Sequence, residues 1–400
     1  MRIDPRNIYT LKGAVQQYTW GGYEYIPQLL GIDNTEKKPF AEYWMGAHNG
    51  APATIENGSA SALLNNILKD QPELLGNKTL QRFGELPYLF KVLDVREMLS
   101  IQVHPTKEEA EKGFEAEEER GVEISSPKRN YKDRNHKPEV MIALSDFWLL
   151  HGFKPEKDLR EILSSVPQFR SLIPILESEG YEGLYSYVME LPQQEVDAML
   201  LPIVQKEVRR RSFHESEKDE PGFWVGEYYR NKQPKNIDKG IFSIYFFNLV
   251  YLKPGEAIFQ DAGVPHAYLQ GQNIELMANS DNVLRAGLTN KHIDIDELMK
   301  HTRFEAVEPE ILDGSSEGGE KTFRFPVEDF MLSKIELNES DAYHSQSSSP
   351  EILICVDGNC TAEAANTLQL AKGDVFIAFA GAEYTLKAAN KACIFRAAVP

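Results

Sequence analysis

Two stretches of this 400-residue chain carry side chains whose types and spacing could do chemistry. One is Tyr131-Lys132-Asp133-Arg134-Asn135-His136-Lys137-Pro138-Glu139, a polar loop that starts just after Lys128 and Arg129 and runs into the apolar strand Val140 to Leu144. A charged loop feeding a buried strand is how a fold delivers charged groups into a pocket. The other is Leu99 to His104, in which Ser100, Gln102 and His104 alternate with Leu99, Ile101 and Val103. Strand geometry puts the polar three on one face and the apolar three on the other. Taken alone, a basic loop is more often a solvated surface, and a strand histidine more often structural. The rest of the chain decides between these readings.

Composition narrows the ligand. Lys and Arg number 43 against 61 Asp and Glu, a net charge of -18, which leaves no broad basic face for nucleic acid. A small anion remains compatible, because the potential inside a pocket can oppose the global charge. The start, Met1-Arg2-Ile3-Asp4-Pro5, has no apolar signal-peptide core, and no uninterrupted apolar run reaches membrane length. Cys355, Cys360 and Cys393 show no metal-ligand spacing, so reduced thiols and a cytoplasmic protein are expected. A monomer is expected, with an oligomer left open.

The elements that must position these residues follow in chain order. Residues 1–60 read as short strands and loops, residues 61–84 as a helical patch, and Leu86 to His104 as two strands parted by Asp94 to Glu97. After Pro105 comes an acidic helix, Lys107 to Arg120, whose glutamates are expected to face solvent. From Pro155 to about Arg230 the apolar period becomes helical, as in Leu159, Ile162, Leu163 and Val166. Strands are expected again from Ile241 to Leu252, and a short helix from an Asp294 cap. Leu312 to Lys321 reads as a linker, and Glu351 to Ala362 as a hairpin turning at Asp357-Gly358. Three units are expected: residues 1–153 with 236–320, a helical insert at 154–235, and a C-terminal unit at 321–400.

An internal echo adds a third chemical stretch. Gly255-Glu-Ala-Ile-Phe-Gln-Asp-Ala-Gly263-Val-Pro-His266 resembles Gly373-Asp-Val-Phe-Ile-Ala-Phe-Ala-Gly381-Ala-Glu-Tyr384. Both resemble the second motif of cupin β-barrels, in which a histidine three residues after the later glycine binds metal. Asp261 departs from the proline usual there, but His266 is kept. Tyr384 replaces the histidine in the second copy. The expectation is a mainly β protein with two cupin-type, jelly-roll β-barrels and a helical subdomain, the C-terminal barrel lacking metal. Gln102, His104, Glu139 and His266 together suit a borderline divalent ion, zinc above all, with room for water or substrate. Glutamine is a rare zinc ligand, and the pattern alone does not choose Gln102 over its neighbours.

The loop Tyr131 to Glu139 resembles the signature of type I mannose-6-phosphate isomerases. The run from His266 through Glu275, Asp281 and Arg285 to Lys291 is similar to that family's second signature. The likeness extends to Gln102-Val-His104-Pro, Trp20-Gly21 and Trp44-Met45-Gly46; Asn49 and Asn290 depart from usual prolines in loop backbone. The resemblance implies one zinc per chain on Gln102, His104, Glu139 and His266. It implies a catalytic arginine at Arg285 and a sugar-phosphate pocket involving Trp20, Lys91, Ser100, Lys137 and Glu275. It further implies an enediol(ate) route between mannose 6-phosphate and fructose 6-phosphate. For that chemistry Lys137, Asp281 and His136 are expected around the reacting carbons, with Glu275 an alternative base. A non-catalytic sugar-phosphate-binding cupin is the main alternative; an iron oxygenase would leave the Lys/Arg cluster without a purpose.

Overall fold

The computed structural model describes residues 1–317 and 319–400. The chain is mainly β, with its strands in two sheets and its longest helices between Glu156 and Phe246. No helix among the described residues is long and apolar enough to cross a membrane.

The first sheet is built around one strand, His266–Ala278, which is buried along almost all its length. It serves two sets of partners because it bends at Gly271, where φ is 131°. A Cβ there would stand 2.5 Å from the Phe147 ring and 2.7 Å from the Asp146 carbonyl oxygen, so only glycine fits. Before the bend the strand pairs with Ile101–Val103 and Phe147–Phe153; after it, with Tyr88–Val95 and Glu139–Ala143. That register sets His266 opposite Gln102, Glu275 opposite Lys91, and Met277 opposite Glu139. Leu284–Gly287 then pairs with Ile101–Val103, bringing Arg285 opposite Gln102.

Five helices, Glu156–Ser165, Ile173–Glu190, Gln193–Ser212, Pro221–Tyr229 and Gly240–Phe246, share a core with the strand residues Leu150 and Phe153. The last helix corrects the expectation of strand from Ile241, since strand begins only at Phe247. All seven helix residues are buried, so there is no exposed side to give the apolar run a period. The acidic helix Lys107–Glu119 forms as expected, on a Thr106–Glu109 capping box. Its Glu117 is buried rather than solvated, and accepts the backbone N–H groups of Asn130 and Tyr131 at 3.0 and 2.9 Å. Residues 61–84 hold two helices, Leu64–Asp70 and Asn77–Phe83, with a 3-10 turn between them.

The second sheet contains the C-terminal strands together with Ile8–Lys12, Thr54–Asn57 and Ala60–Leu63. Hydrogen bonding therefore crosses the division expected at residue 320, with Ile8–Lys12 lying between Val375–Ala378 and Thr54–Asn57. The expected hairpin at Asp357-Gly358 is instead one strand, Glu351–Glu363, with bulges beside those two residues. Gly358 lies so close to the Lys391 carbonyl that a Cβ would collide with it. The expected linker contributes strands at Ser315–Glu317 and Glu320–Phe323; Gly318 lies outside the described residues.

Inside this sheet, the Arg396 guanidinium lies 3.1 Å from Glu351 and 2.5 Å from Glu320. Tyr384 donates to Glu351 at 2.6 Å and Tyr343 to Glu320 at 2.9 Å. Removing one partner of a buried ion pair leaves the other charge uncompensated. Glu351→Ala should therefore lower the unfolding free energy in urea by about 3–5 kcal/mol. Tyr384→Phe, which removes a single hydrogen bond, should cost about 1 kcal/mol. Equal losses in the two variants would disprove the central place of the ion pair.

Candidate metal centre and active site

Ile101–Val103 is short, but Ile101 and Val103 are fully buried, which fixes the opposite face carrying Gln102. His104 follows, with Nδ1 2.8 Å from the Asn282 carbonyl oxygen. His266 opens its strand, with Nδ1 2.9 Å from the Val264 carbonyl oxygen. A carbonyl can only accept, so each Nδ1 carries a proton, which leaves Nε2 as the atom through which a neutral ring would bind a metal. Both Nε2 atoms are buried without a hydrogen-bond partner. They point at one carboxylate: His104 Nε2 is 3.5 Å from Glu139 Oε1, and His266 Nε2 is 3.4 Å from Oε2. The donor atoms of the three residues lie within 4.8 Å of one another, and among the described residues this is the one such group.

The electrostatics suit a cation. Burial, and then the charge of Lys137, pushes His104 down to about 4, so its ring is neutral near pH 7. Burial works against the Glu139 carboxylate, but Lys137 and His104 outweigh it and hold it well below the usual range. Lys137 Nζ is 2.7 Å from Glu139 Oε1. Two imidazoles and a carboxylate, with a backbone carbonyl on each Nδ1, form a donor set that fits zinc.

Above this group opens a cavity of about 640 Å³. Trp20, Lys91, Ser100, Gln102, Lys137, Glu139, His266, Glu275, Asp281 and Arg285 all line it, with His104 buried behind them. His136 is not brought there. Its Nε2 is 3.0 Å from both carboxylate oxygens of Asp329, in a separate cleft beside Arg82 and Lys107. The reason is strand alternation: Pro138 keeps Lys137 extended, so Lys137 and Glu139 share a side and His136 takes the other.

One wall pairs its charges. Lys91 Nζ is 3.0 Å from Glu275 and 3.5 Å from Glu42, and 5.1 Å from the centroid of the Trp44 ring. Burial would lower the Lys91 pKa, but Glu275, Glu42 and Glu139 raise it well above the ordinary lysine value. Glu275 is pushed up by burial and by its carboxylate neighbours, with Lys91 pulling back. Asp281 is held down by the hydrogen bond from His48, 3.2 Å away, and so stays ionised. The other wall is cationic. Arg285 and Lys291 have no carboxylate within 4.0 Å among the described residues, and Lys132 stands near both.

Two family models match the chain: the phosphomannose isomerase type I catalytic domain over residues 8–156, and the type I C-terminal model over residues 323–365. Mannose-6-phosphate isomerase of Escherichia coli K12 is 38% identical over 392 residues, covering 94% of this chain and 96% of that protein. The Homo sapiens enzyme is 33% identical, covering 95% of each. A solved mannose 6-phosphate isomerase from Salmonella typhimurium, bound to substrate (f6p) and zinc, superposes with a TM-score of 0.87 at 33% identity, covering 98% of this chain and 99% of that one.

The chain belongs to the type I phosphomannose isomerase family.

Several residues in or beside the cavity are not marked by the motifs. Glu42 and Tyr268 line the cavity, and the buried Tyr268 hydroxyl lies near Glu275. Tyr268 follows His266 by two in the same strand, so alternation could have found it. Lys132 lies in the signature without a role expected of it there; it lines the cavity while donating to the Ile124 carbonyl at 2.7 Å. His48 and Glu42 carry no sequence signal beyond their nearness to Trp44.

Lys91→Met should destabilise the fold by about 3–5 kcal/mol in urea, because Glu275 and Glu42 would stay buried without their cation. Adding Glu275→Gln should recover part of that loss. A double variant no better than the single would show that the pair is not the source of the effect.

Proposed function

We propose that the chain is a zinc-dependent aldose-ketose isomerase interconverting mannose 6-phosphate and fructose 6-phosphate. The observation that carries this reading is one cavity holding two things: a metal-ready His104–Glu139–His266 group and cations with no carboxylate partner. Gln102, on the same lining, completes the ligand set with a weak amide oxygen. Zinc bound there supplies Lewis-acid polarisation of the substrate oxygens.

The reaction moves one proton between C2 and C1 of the open-chain sugar through an enediol(ate). Glu275 has the raised pKa that a proton carrier needs, and Lys91 beside it offsets charge as the proton leaves and returns. Asp281, held ionised by His48, fixes charge near the sugar rather than carrying the proton. Lys137 and Arg285 stabilise the negative oxygen of the intermediate, and Lys132 and Lys291 hold the phosphate. Trp20 and Ser100 bound the sugar. Tyr228 and Lys232, from the helical part of the chain, close one side of the mouth.

The fold proposal goes with this. The two sheets form cupin-type barrels, the first from residues 1–153 with 236–320 and the second, which lacks metal, from residues 321–400. The insert at 154–235 covers the mouth. The shared Gly-to-His266 and Gly-to-Tyr384 segments support the repeat, while the pairing of Ile8–Lys12 with Val375–Ala378 makes the division one of function rather than of hydrogen bonding.

A coupled assay with mannose 6-phosphate tests the reading directly: chelation should abolish turnover and zinc should restore it. Turnover in metal-free protein would exclude the mechanism. Arg285→Ala should lower kcat by about 10²–10³-fold at unchanged zinc content. Because the Glu275 pKa is raised and its ionised form is the base, activity should fall as pH drops through a value above the ordinary glutamate pKa of about 4.3. In Glu275→Gln the residual activity should lose that acid limb.

A further inference from the structure

The segment that follows Arg285 has an unusual backbone. Gly287 has φ 135° and Leu288, a residue with a side chain, has φ 53°. A residue with a Cβ stays in the left-handed region only where its surroundings over-determine it. The determinant is one carboxylate from outside both signatures, that of Asp238. Its Oδ1 accepts the N–H of Leu288 at 2.8 Å and of Gly240 at 2.7 Å, and its Oδ2 accepts the N–H of Thr289 at 3.0 Å. No cation lies within salt-bridge distance of it among the described residues; three backbone N–H groups are its donors, with the Tyr228 hydroxyl beside it. Asp238 is itself anchored, its own N–H donating to the Tyr229 hydroxyl at 2.9 Å.

The packing leaves no slack in this clamp. A Cβ on Gly287 would stand 2.4 Å from the Gly240 Cα, and one on Gly240 would stand 2.6 Å from the Leu288 nitrogen. The two backbones touch with Asp238 bridging them. On one side of the bridged turn is Arg285, at a bulge in its pairing with Ile101–Val103. On the other side Thr289, Asn290 and Lys291 line the cavity mouth.

We infer that Asp238 is a positioning residue for the phosphate end of the pocket: by clamping Leu288 and Thr289, it holds the segment that carries Lys291 in place at the cavity mouth. This rests on the isomerase reading and extends it, because it gives the residues before Gly240 a part in substrate affinity. Both carboxylate oxygens are required. An asparagine keeps one acceptor, enough for Leu288 and Gly240, and turns its amide nitrogen toward the Thr289 N–H.

The test measures inorganic phosphate binding to the zinc-loaded full chain by calorimetry, alongside zinc content, thermal melting and mannose 6-phosphate kinetics. Asp238→Ala should weaken phosphate binding by about 10–100-fold and raise KM in parallel, with zinc content unchanged and kcat reduced by less than KM rises. Asp238→Asn should fall between wild type and Asp238→Ala. A folded Asp238→Ala protein that binds phosphate within about twofold of wild type would overturn the inference, and so would variants that lose thermal stability without any rise in KM. If Asp238→Ala does not fold, Asp238→Asn decides: weaker phosphate binding supports the clamp, and unchanged binding overturns it. Phosphate binding needs no turnover, so failure of the clamp and failure of the isomerase reading give different results.

Discussion

Glu139 faces two imidazoles whose proton-free nitrogens have nothing else to bind, and the surrounding structure depends on keeping that arrangement. A buried carboxylate is costly unless it is paired, and here it is paired on one side by Lys137. That requirement explains much of the local sequence. Lys137 must reach the same side as Glu139, so the chain between them must be extended, and Pro138 enforces this. The imidazoles must be neutral and correctly tautomeric, so each Nδ1 is tied to a backbone carbonyl. One of those carbonyls belongs to Asn282, whose side chain also accepts the Lys132 N–H at 2.7 Å and donates to the Asp133 and Asn135 carbonyls at 2.8 Å. The two signature loops are thus fastened by the residue that orients a ligand histidine.

The same logic spreads outward with the charges. Glu275 and Glu42 share Lys91, so the charges of that wall are paired and tolerate burial. The opposite wall does not balance itself. Burial lowers the proton affinity of both Arg285 and Lys291, the Arg285 charge adds to that at Lys291, and among the described residues neither has a carboxylate within 4.0 Å, in a chain that is strongly acidic overall. Uncompensated cations beside a compensated wall define the direction in which an anionic substrate can lie. Holding the segment that carries Lys291 takes the left-handed turn at Leu288, and that turn depends on a residue of the helical region. The helices are therefore part of the site's rigidity as well as its cover.

How much of this was legible in the sequence follows from the physics of each residue. Gln102 and His104 could be read because strand alternation is local and strict, and Tyr88–Val95 because an almost continuous apolar run is buried on both faces. His136 was misplaced because the loop was read as a charge cluster, although the same alternation, applied three residues before Glu139, turns it toward Asp329. Gly240–Phe246 gave no period because it is buried on all sides, and Asp357-Gly358 looked like a turn because the residues of a bulge and of a hairpin are the same. Glu42 and Asp238 act through partners far along the chain, Lys91 and the Leu288 N–H, and no local pattern announces them. Pairing of Ile8–Lys12 with Val375–Ala378 is likewise a long-range fact.

The two halves of the internal echo show what separates a site from a support. His266 and Tyr384 occupy equivalent places after matching glycines, and each is nearly fully buried. The Tyr384 hydroxyl is committed, donating at 2.6 Å to a Glu351 that is itself paired with Arg396. The His266 Nε2 is not committed, and it converges with a second free nitrogen on a shared carboxylate. In low dielectric an unpaired polar atom is destabilising, so a fold that holds two of them rigidly against one acid is arranged for a further partner. Where the same position is filled by a satisfied tyrosine, the burial contributes to stability instead. It is the state of the donor atoms, more than the fold they share, that tells the two apart.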